Sequence, residues 1–320
     1  METLNQTFVW DTHSSKVFSE PFHKPNFRCP SHSPMQIVEN SLNTEFPRLL
    51  SESKWNIKLK EVLYTDASKA TEIELCDHLS DGKLYVVKKI IKSQMRESDL
   101  ESAKHGMITH NQLWHPNILE SYDLIETNQE LVQLLEYLPK ADYLTEKLET
   151  MNEPFNTKPD GGVSKLKSMC FDLLQGLAFL HSQNLVHLDI KPGNVLLDKK
   201  VPPNEFPRLK ICDFGLSRKS GSFTKGACGS DGYMAPEVKS GKQVTGVADM
   251  WSFGMLIHKL VVGYLPWVLK WRPGEPLPCH SRHWKKYQGT GLFELIEACL
   301  TLDPFERITA EQALKSQFLS

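Results

Sequence analysis

Two short polar motifs restrict what this sequence can fold into more than any other feature. Residues 187–194 read HLDIKPGN, and residues 213–215 read DFG. The first motif supplies a carboxylate at Asp189, a lysine two residues later and the amide of Asn194. Such a set can orient a hydroxyl group, neutralise a phosphate and hold a metal ion. The second motif adds the carboxylate of Asp213 just before a glycine, and together the two motifs predict one polar site.

The composition is that of an ordinary globular protein. Of 320 residues, 40% are hydrophobic and 24% are charged, enough for one large domain or two modest ones. A net charge of −2 gives no basic field for nucleic acid or an anionic membrane. The seven scattered cysteines include no C-x-x-C pair, which argues against a disulfide framework or a zinc site. With no signal peptide and no apolar run near the ~18 residues of a spanning helix, we expect a soluble cytoplasmic or nuclear protein without a membrane span.

Residues 1–50 are rich in Ser, Pro, Asn and His and show no sustained period of 2 or 3.6. This pattern predicts a flexible N-terminal extension. The alternative is a docking or regulatory arm that binds a partner through Phe22 and Phe27.

Hydrophobic periodicity beyond the extension predicts two lobes. Strand signals cover 55–64, 73–75, 83–91, 119–126 and 131–136, with helical sequence over 93–113. Short turns between these strands favour an antiparallel small lobe at about 55–136. From about residue 139 to 320 the pattern is helical, with helices over 166–180, 246–262 and 292–302 and a long surface loop over 268–287. We therefore expect an α+β fold with a small antiparallel β lobe and a larger helical lobe.

The two polar motifs resemble the catalytic loop (H-R-D-x-K-x-x-N) and the D-F-G motif of eukaryotic protein kinases. Residues 235–237 (APE) and 249–254 (DMWSFG) are similar to further motifs of that family, and the resemblance runs from about residue 55 to 319. It implies a kinase domain over 51–320. It also implies that Glu237 pairs with Arg307 and that Asp249 braces the catalytic loop.

The resemblance assigns roles in phosphoryl transfer. Asp189 and Lys191 are the implied catalytic residues, while Asn194 and Asp213 would hold Mg²⁺. Lys88 would bind the α- and β-phosphates of ATP, with the neighbouring Lys89 as the less favoured alternative. The sequence Gly-Ser before Tyr233 and the Lys-Pro-Gly-Asn loop favour a Ser or Thr acceptor on a protein substrate over a Tyr acceptor.

The nucleotide pocket is implied in the same way. Residues 135–138 resemble the hinge, with Leu135 as gatekeeper and the next three residues offering backbone groups to adenine. The remaining residues expected to contact the nucleotide are Asp66, Ala67, Ser68, Ile73, Val86, Glu136, Leu138 and Leu196. Cys212 is expected to line this pocket as a packing residue.

The loop that should cover the phosphates departs from the family pattern. In residues 66–73 the three expected glycines are replaced by Asp66, Ser68 and Thr71. Glycine allows the backbone to close over phosphates at positive φ, and a carboxylate pointing inward would repel them. Val86 also replaces the Ala that usually sits over adenine. Its added bulk can cost about 1–3 kcal/mol, or roughly tenfold in affinity.

Two further departures concern the regulatory helix and the catalytic loop. The place of the helix glutamate that should pair with Lys88 falls at His105 or Gly106; Glu97 or Glu101 could substitute if the helix shifts, or both could be solvated. Leu188 replaces the Arg of H-R-D, which usually receives an activation-segment phosphate. Switching by phosphate is therefore less expected, although three hydroxyls of the segment are available as acceptors: Ser220, Ser222 and Thr224.

Two functions are the main alternatives at this point, and a kinase-like fold that acts on a small molecule is the third. The complete set of Lys88, Asp189, Lys191, Asn194 and Asp213 favours an ATP- and Mg²⁺-dependent Ser/Thr protein kinase. The glycine-free loop, Val86 and the missing helix glutamate favour a pseudokinase that acts as an interaction or scaffold module with weak or no nucleotide turnover.

Overall fold

The small lobe is built on one sheet. The computed structural model describes residues 36–38, 56–66, 70–139, 141–144, 162–199, 207–224, 226–278 and 282–320. Six strands form this sheet in the order β1-β5-β6-β4-β3-β2. Their bounds are Gln36–Val38 (β1), Ile57–Asp66 (β2), Thr71–His78 (β3), Leu84–Ile91 (β4), Ser121–Thr127 (β5) and Glu130–Glu136 (β6).

Five of these strands are antiparallel, as the sequence predicted. The sixth, β1, pairs in parallel with β5, with Gln36 opposite Ile125. Three residues of the predicted flexible extension are therefore a strand at the sheet edge. The docking-arm residues Phe22 and Phe27 lie outside the described residues.

In the small lobe, helix α1 (Glu97–Asn111) packs beside β5. Glu97 and Asp99 lie in its first turn, where carboxylates interact favourably with the helix dipole. On the outer side, Lys104 Nζ lies 2.7 Å from a Glu126 carboxylate oxygen on β5. The same carboxylate receives Lys92 Nζ at 2.6 Å, so this carboxylate links the helix to the sheet.

The large lobe is mainly helical, as predicted. Among its described residues the α-helices are α2 (Gly162–Ser182), α3 (Pro236–Lys239), α4 (Val247–Val262), α5 (Leu292–Cys299) and α6 (Ala310–Ala313). Short strands β7 (Asp142–Tyr143), β9 (Val195–Asp198) and β10 (Arg208–Ile211) form one small sheet, and β8 (Leu185–Val186) pairs with β11 (Arg218–Lys219). Short 3₁₀ helices occupy Lys92–Gln94, Pro192–Asn194, Pro266–Leu269 and Arg282–Tyr287.

The large-lobe core forms around α2 and α4. The apolar stripe predicted on α2 is buried: Leu166, Met169, Cys170, Leu173, Leu174, Leu177 and Leu180. Helix α4 is apolar on nearly all sides and buries Trp251 and Phe253 completely, which fits a helix enclosed by the rest of its lobe. Within the described part of the chain, none of the helices combines the length and hydropathy needed to cross a bilayer.

The segment predicted as a surface loop over 268–287 is only partly one, and in this respect the prediction was wrong. Trp271, Leu277, Trp284 and Tyr287 are buried in the large-lobe core. Trp271 and Leu277 lie in irregular backbone, whereas Trp284 and Tyr287 lie in a short 3₁₀ helix, so these side chains reach the core without an α-helical or strand period. A pattern search based on periodicity cannot detect such burial.

Candidate active site

The catalytic loop is held by one fully buried carboxylate from α4. Asp249 accepts the backbone N–H of His187 at 2.8 Å and that of Leu188 at 2.8 Å. It also accepts Nε2 of His181 at 3.0 Å. Leu188 adopts φ 67°, a left-handed conformation that is strained for a branched residue and persists only where surrounding contacts impose it. The bracing role implied for Asp249 is confirmed.

The polar residues of the loop converge on Asp189. Its Oδ2 accepts Asn194 Nδ2 at 2.8 Å and Lys191 Nζ at 2.8 Å. Pro192 begins the 3₁₀ turn that brings Asn194 back toward the carboxylate, since its fixed φ suits the first helical position. The opposite oxygen, Oδ1, accepts the backbone N–H of Ser230 at 2.9 Å. The spacing of the motif thus becomes a compact cluster around one carboxylate.

Lys88 lies across the cleft from this cluster and pairs with the other motif. Its Nζ is 3.1 Å from Asp213 Oδ1. Burial alone would lower the pKa of the Lys88 ammonium, but the charge and hydrogen bond of Asp213 outweigh it and raise that pKa. The charge of Lys88 in turn holds the pKa of the Asp213 carboxyl well below its ordinary value. Both groups are therefore charged at neutral pH.

The pocket beside this pair is apolar. Leu135, Leu138 and Cys212 form a buried cluster with Leu119, and Val86 and Leu196 pack against it. Burial raises the pKa of the Cys212 thiol to about 12, so it remains a neutral packing group. A flat, weakly polar ring fits such a surface.

The side chain of Glu136, in the segment predicted as the hinge, makes structural contacts within the chain. Glu136 Oε1 accepts Lys210 Nζ at 2.6 Å and the N–H of Glu120 at 2.9 Å. The Leu138 carbonyl accepts the N–H of Ala141 at 3.1 Å. These contacts fix the backbone of the hinge rather than leaving it flexible.

The loop expected to cover the phosphates is the tip of the β2–β3 hairpin. Asp66 pairs with Thr71 across it, while Ala67 and Ser68 lie outside the described residues. The Tyr64 hydroxyl donates to Asp66 Oδ2 at 3.4 Å. Ile73 lies directly opposite Lys88 in the sheet and so shares its face.

The missing helix glutamate has a structural explanation. Gly106 is buried where α1 meets the backbone of Phe214 and Gly215. Glu97 and Glu101 are exposed, and Lys88 pairs with Asp213 instead. The predicted alternative that a shifted helix brings either glutamate to Lys88 is not borne out.

Backbone hydrogen bonds hold the activation segment against Val244. Gly221 N–H donates to the Val244 carbonyl at 2.7 Å, and Val244 N–H donates to the Ser222 carbonyl at 2.9 Å. The Thr224 hydroxyl is buried and donates to the Val238 carbonyl, which makes it a poor phosphate acceptor. Leu188 belongs to the hydrophobic core, so its side chain is not available to the segment.

The pairing of Glu237 with Arg307 is confirmed. Arg307 Nη2 donates to one Glu237 oxygen at 3.0 Å, and Nη1 donates to the other. The guanidinium also donates to the carbonyls of Thr301 and Val247, each at 2.9 Å. This buried bidentate pair fastens the segment after the cleft to the C-terminal part of the lobe.

Some residues of the site were missed by sequence reasoning. Ser230 was noted only as part of a motif, yet its N–H and hydroxyl contact Asp189 and Lys191. His110 and Gln133 were not singled out, because a lone polar residue in an apolar pattern carries no chemical signature. Gly106 was noted only because the missing helix glutamate was expected at position 105 or 106.

The sequence of the chain is also similar to that of known proteins. A family model described as "Protein kinase domain" matches residues 69–319. The chain belongs to the eukaryotic protein kinase family. The two-lobed fold is the one that this membership implies.

Curated relatives in the family carry kinase names. The chain is 27% identical over 255 residues to a carbon catabolite-derepressing protein kinase of Candida tropicalis, covering 77% of this chain and 38% of that protein. It is 29% identical over 253 residues to an SNF1-related protein kinase catalytic subunit alpha of Arabidopsis thaliana, covering 74% and 46%. A serine/threonine-protein kinase of Mus musculus, DCLK3, is 28% identical over 256 residues, covering 77% and 31%. The chain therefore spans less than half the length of each of these relatives.

Proposed function

We propose that this kinase-family chain transfers the γ-phosphoryl group of ATP to Ser or Thr hydroxyls of protein substrates, with Mg²⁺ as the metal. The observation that carries the proposal is the cluster in which Asp189 holds Asn194, Lys191 and the N–H of Ser230, facing the Lys88–Asp213 pair. All five residues that phosphoryl transfer needs are present and are oriented by other groups of the chain.

The residues at the cleft fit a nucleotide and a hard cation. Asn194 uses its Nδ2 on Asp189, which leaves its amide oxygen as the group suited to a metal. The Asp213 carboxylate is 46% exposed toward solvent although its partner Lys88 is largely covered. One carboxylate and one amide oxygen, completed by phosphate oxygens, are a donor set that Mg²⁺ accepts.

Each residue then has a distinct task. Asp189 accepts the proton of the attacking hydroxyl, and its hydrogen bonds from Asn194 and Ser230 fix the direction of the carboxylate. Lys88 and Lys191 bring positive charge to the phosphate oxygens. Bound Mg²⁺ would neutralise the charge that develops between the phosphates, held by Asn194 and Asp213.

The deciding experiment compares the purified chain with Asp189→Asn, which keeps the size of the side chain. We expect ATP- and Mg²⁺-dependent phosphorylation of a generic protein substrate, reduced at least a hundredfold in the variant. Equal signals from both proteins would contradict the proposal. Peptides that differ only in a Ser, Thr or Tyr acceptor would test the acceptor class, and a preference for Tyr would contradict it.

A second candidate is a pseudokinase that acts as an interaction or scaffold module. It is favoured by Gly106, which leaves Lys88 without a helix carboxylate, and by the hairpin that replaces a glycine-rich loop. A thermal-shift titration with ATP and Mg²⁺ separates the two functions, since ligand binding stabilises by RT ln(1 + [L]/Kd). The absence of any shift at millimolar ATP favours the second candidate.

A further inference from the structure

Helix α1 contacts the Asp213–Gly215 turn through a glycine. A Cβ atom built on Gly106 would lie 2.7 Å from the Cα of Gly215 and closer still to the carbonyl oxygen of Phe214. Both obstacles are backbone atoms, so neither can rotate away as a flexible side chain would. Glycine in a helix interior costs roughly 0.5–1 kcal/mol relative to alanine, so the helix itself gives no reason for it. Glycine is needed at position 106 because the backbone of Phe214 and Gly215 lies too close to the helix for a Cβ atom.

One turn further along the same helix face, His110 meets the side chain of Phe214. The two rings are stacked, with centroids 4.6 Å apart and planes inclined by 28°. His110 Nε2 donates to the Leu119 carbonyl at 2.6 Å, and Nδ1 accepts Gln133 Nε2 at 3.1 Å. Both ring nitrogens are therefore occupied, and the ring cannot turn without breaking a hydrogen bond.

Gln133 connects this contact to the strand that carries Lys88. It lies directly opposite Lys88 in the β4–β6 register, on the same face of the sheet. Its amide also donates to the Ser121 hydroxyl at 2.9 Å, which in turn donates to Asn111 at the end of α1. Helix, sheet and turn are thus joined by one buried polar network.

We propose that Gly106 positions the Asp213 carboxylate, by letting the α1 backbone contact Phe214 and Gly215 directly, in place of an ion pair between the helix and Lys88. Asp213 is then left as the carboxylate partner of Lys88. Gly106 is a positioning residue, and its purpose rests on the proposed function, although the contact itself does not.

Hydrogen–deuterium exchange of the full chain tests the contact directly. The probe is the turn in which Ser217 N–H donates to the Phe214 carbonyl at 3.0 Å. In Gly106→Ala we expect exchange across residues 213–217 to accelerate at least tenfold. The matched control is His105→Ala, next along the helix but exposed, which should leave it within twofold. Because alanine favours the helix more than glycine, faster exchange cannot come from a weakened helix. Unchanged exchange in Gly106→Ala would overturn the proposal.

Nucleotide binding tests whether the contact of Gly106 with the turn positions the Asp213 carboxylate. We expect Gly106→Ala to weaken ADP binding about tenfold in the presence of Mg²⁺ and to leave it unchanged in EDTA, because Asp213 is a proposed metal ligand and Lys88 is not. Equal weakening in both conditions would overturn the assignment to Asp213. If the unaltered chain transfers no phosphate, the proposed function fails, whereas the exchange result still decides the contact.

Discussion

The ammonium group of Lys89 lies 2.6 Å from the Glu74 carboxylate, and both side chains are buried on the face of the sheet opposite to Lys88. Consecutive strand residues point to opposite faces, so only one of the two lysines can reach the cleft. The contact between Lys88 and Asp213 identifies which one it is. Lys89 instead compensates a buried carboxylate.

Replacement by methionine should therefore affect turnover at Lys88 and stability at Lys89. Lys88→Met removes the proposed phosphate contact and should abolish turnover with little loss of stability. Lys89→Met leaves Glu74 buried without its partner, which should lower the free energy of unfolding by about 3 kcal/mol. Urea denaturation and a phosphorylation assay on both variants measure the two effects. Turnover that survives Lys88→Met would point to Lys89 as the phosphate ligand.

Val86 lies on the wall of the apolar pocket, opposite Leu135 in the sheet. We expect Val86→Ala to raise nucleotide affinity about tenfold, because the removed methyl groups free space for the adenine ring. The control is Val87→Ala, which removes the same atoms from the fully buried opposite face. That control should lose stability without any change in affinity. Calorimetric titration with ADP measures the difference, and a lower affinity in Val86→Ala would show that the valine contributes to binding.

Much of this fold could be predicted because its signals are local. The strands of the small lobe and the stripe on α2 follow from periods of 2 and 3.6, and the contacts of Asp189 with Lys191 and Asn194 follow from spacing within eight residues. The Glu237–Arg307 pair was reached through the family resemblance, since the two residues are 70 apart in sequence.

The contacts that were not predicted depend on the packing of distant segments. In the sequence, Gly106 is only an unfavourable residue inside a helix. The structure shows that the backbone of Phe214 packs directly against it. His110 and Gln133 are single polar residues in apolar surroundings, and their pairing across α1 and β6 has no sequence period. Trp271 lies in irregular backbone and Trp284 in a short 3₁₀ helix, so no α-helical or strand period marks their burial in the sequence.

The buried pair of Glu237 and Arg307 should dominate the stability of the large lobe. Arg307 has no exposed side-chain surface and also faces the Trp251 ring at 5.1 Å. Glu237→Gln keeps the shape of the side chain but removes its charge, which should cost about 3–5 kcal/mol because the guanidinium stays buried. The control is Asp231→Asn at the exposed Asp231–Lys239 pair, where the denaturation midpoint should not move. Equal midpoints for Glu237→Gln and the unaltered chain would contradict this prediction.

His258 should make the stability of the large lobe depend on pH. It is fully buried in α4, with Nδ1 donating to the Tyr264 carbonyl at 3.0 Å, and burial lowers its pKa to about 4. The unfolded chain takes up this proton near pH 6.5, so below that pH it binds more protons than the folded chain. Stability is therefore lost as pH falls from about 6.5 toward 4, by as much as about 2 kcal/mol at pH 5. The variant His258→Asn can still donate to Tyr264 but does not titrate. Urea denaturation at pH 8 and pH 5 should show a smaller decrease for this variant than for the unaltered chain, and equal decreases would show that His258 does not titrate in this range.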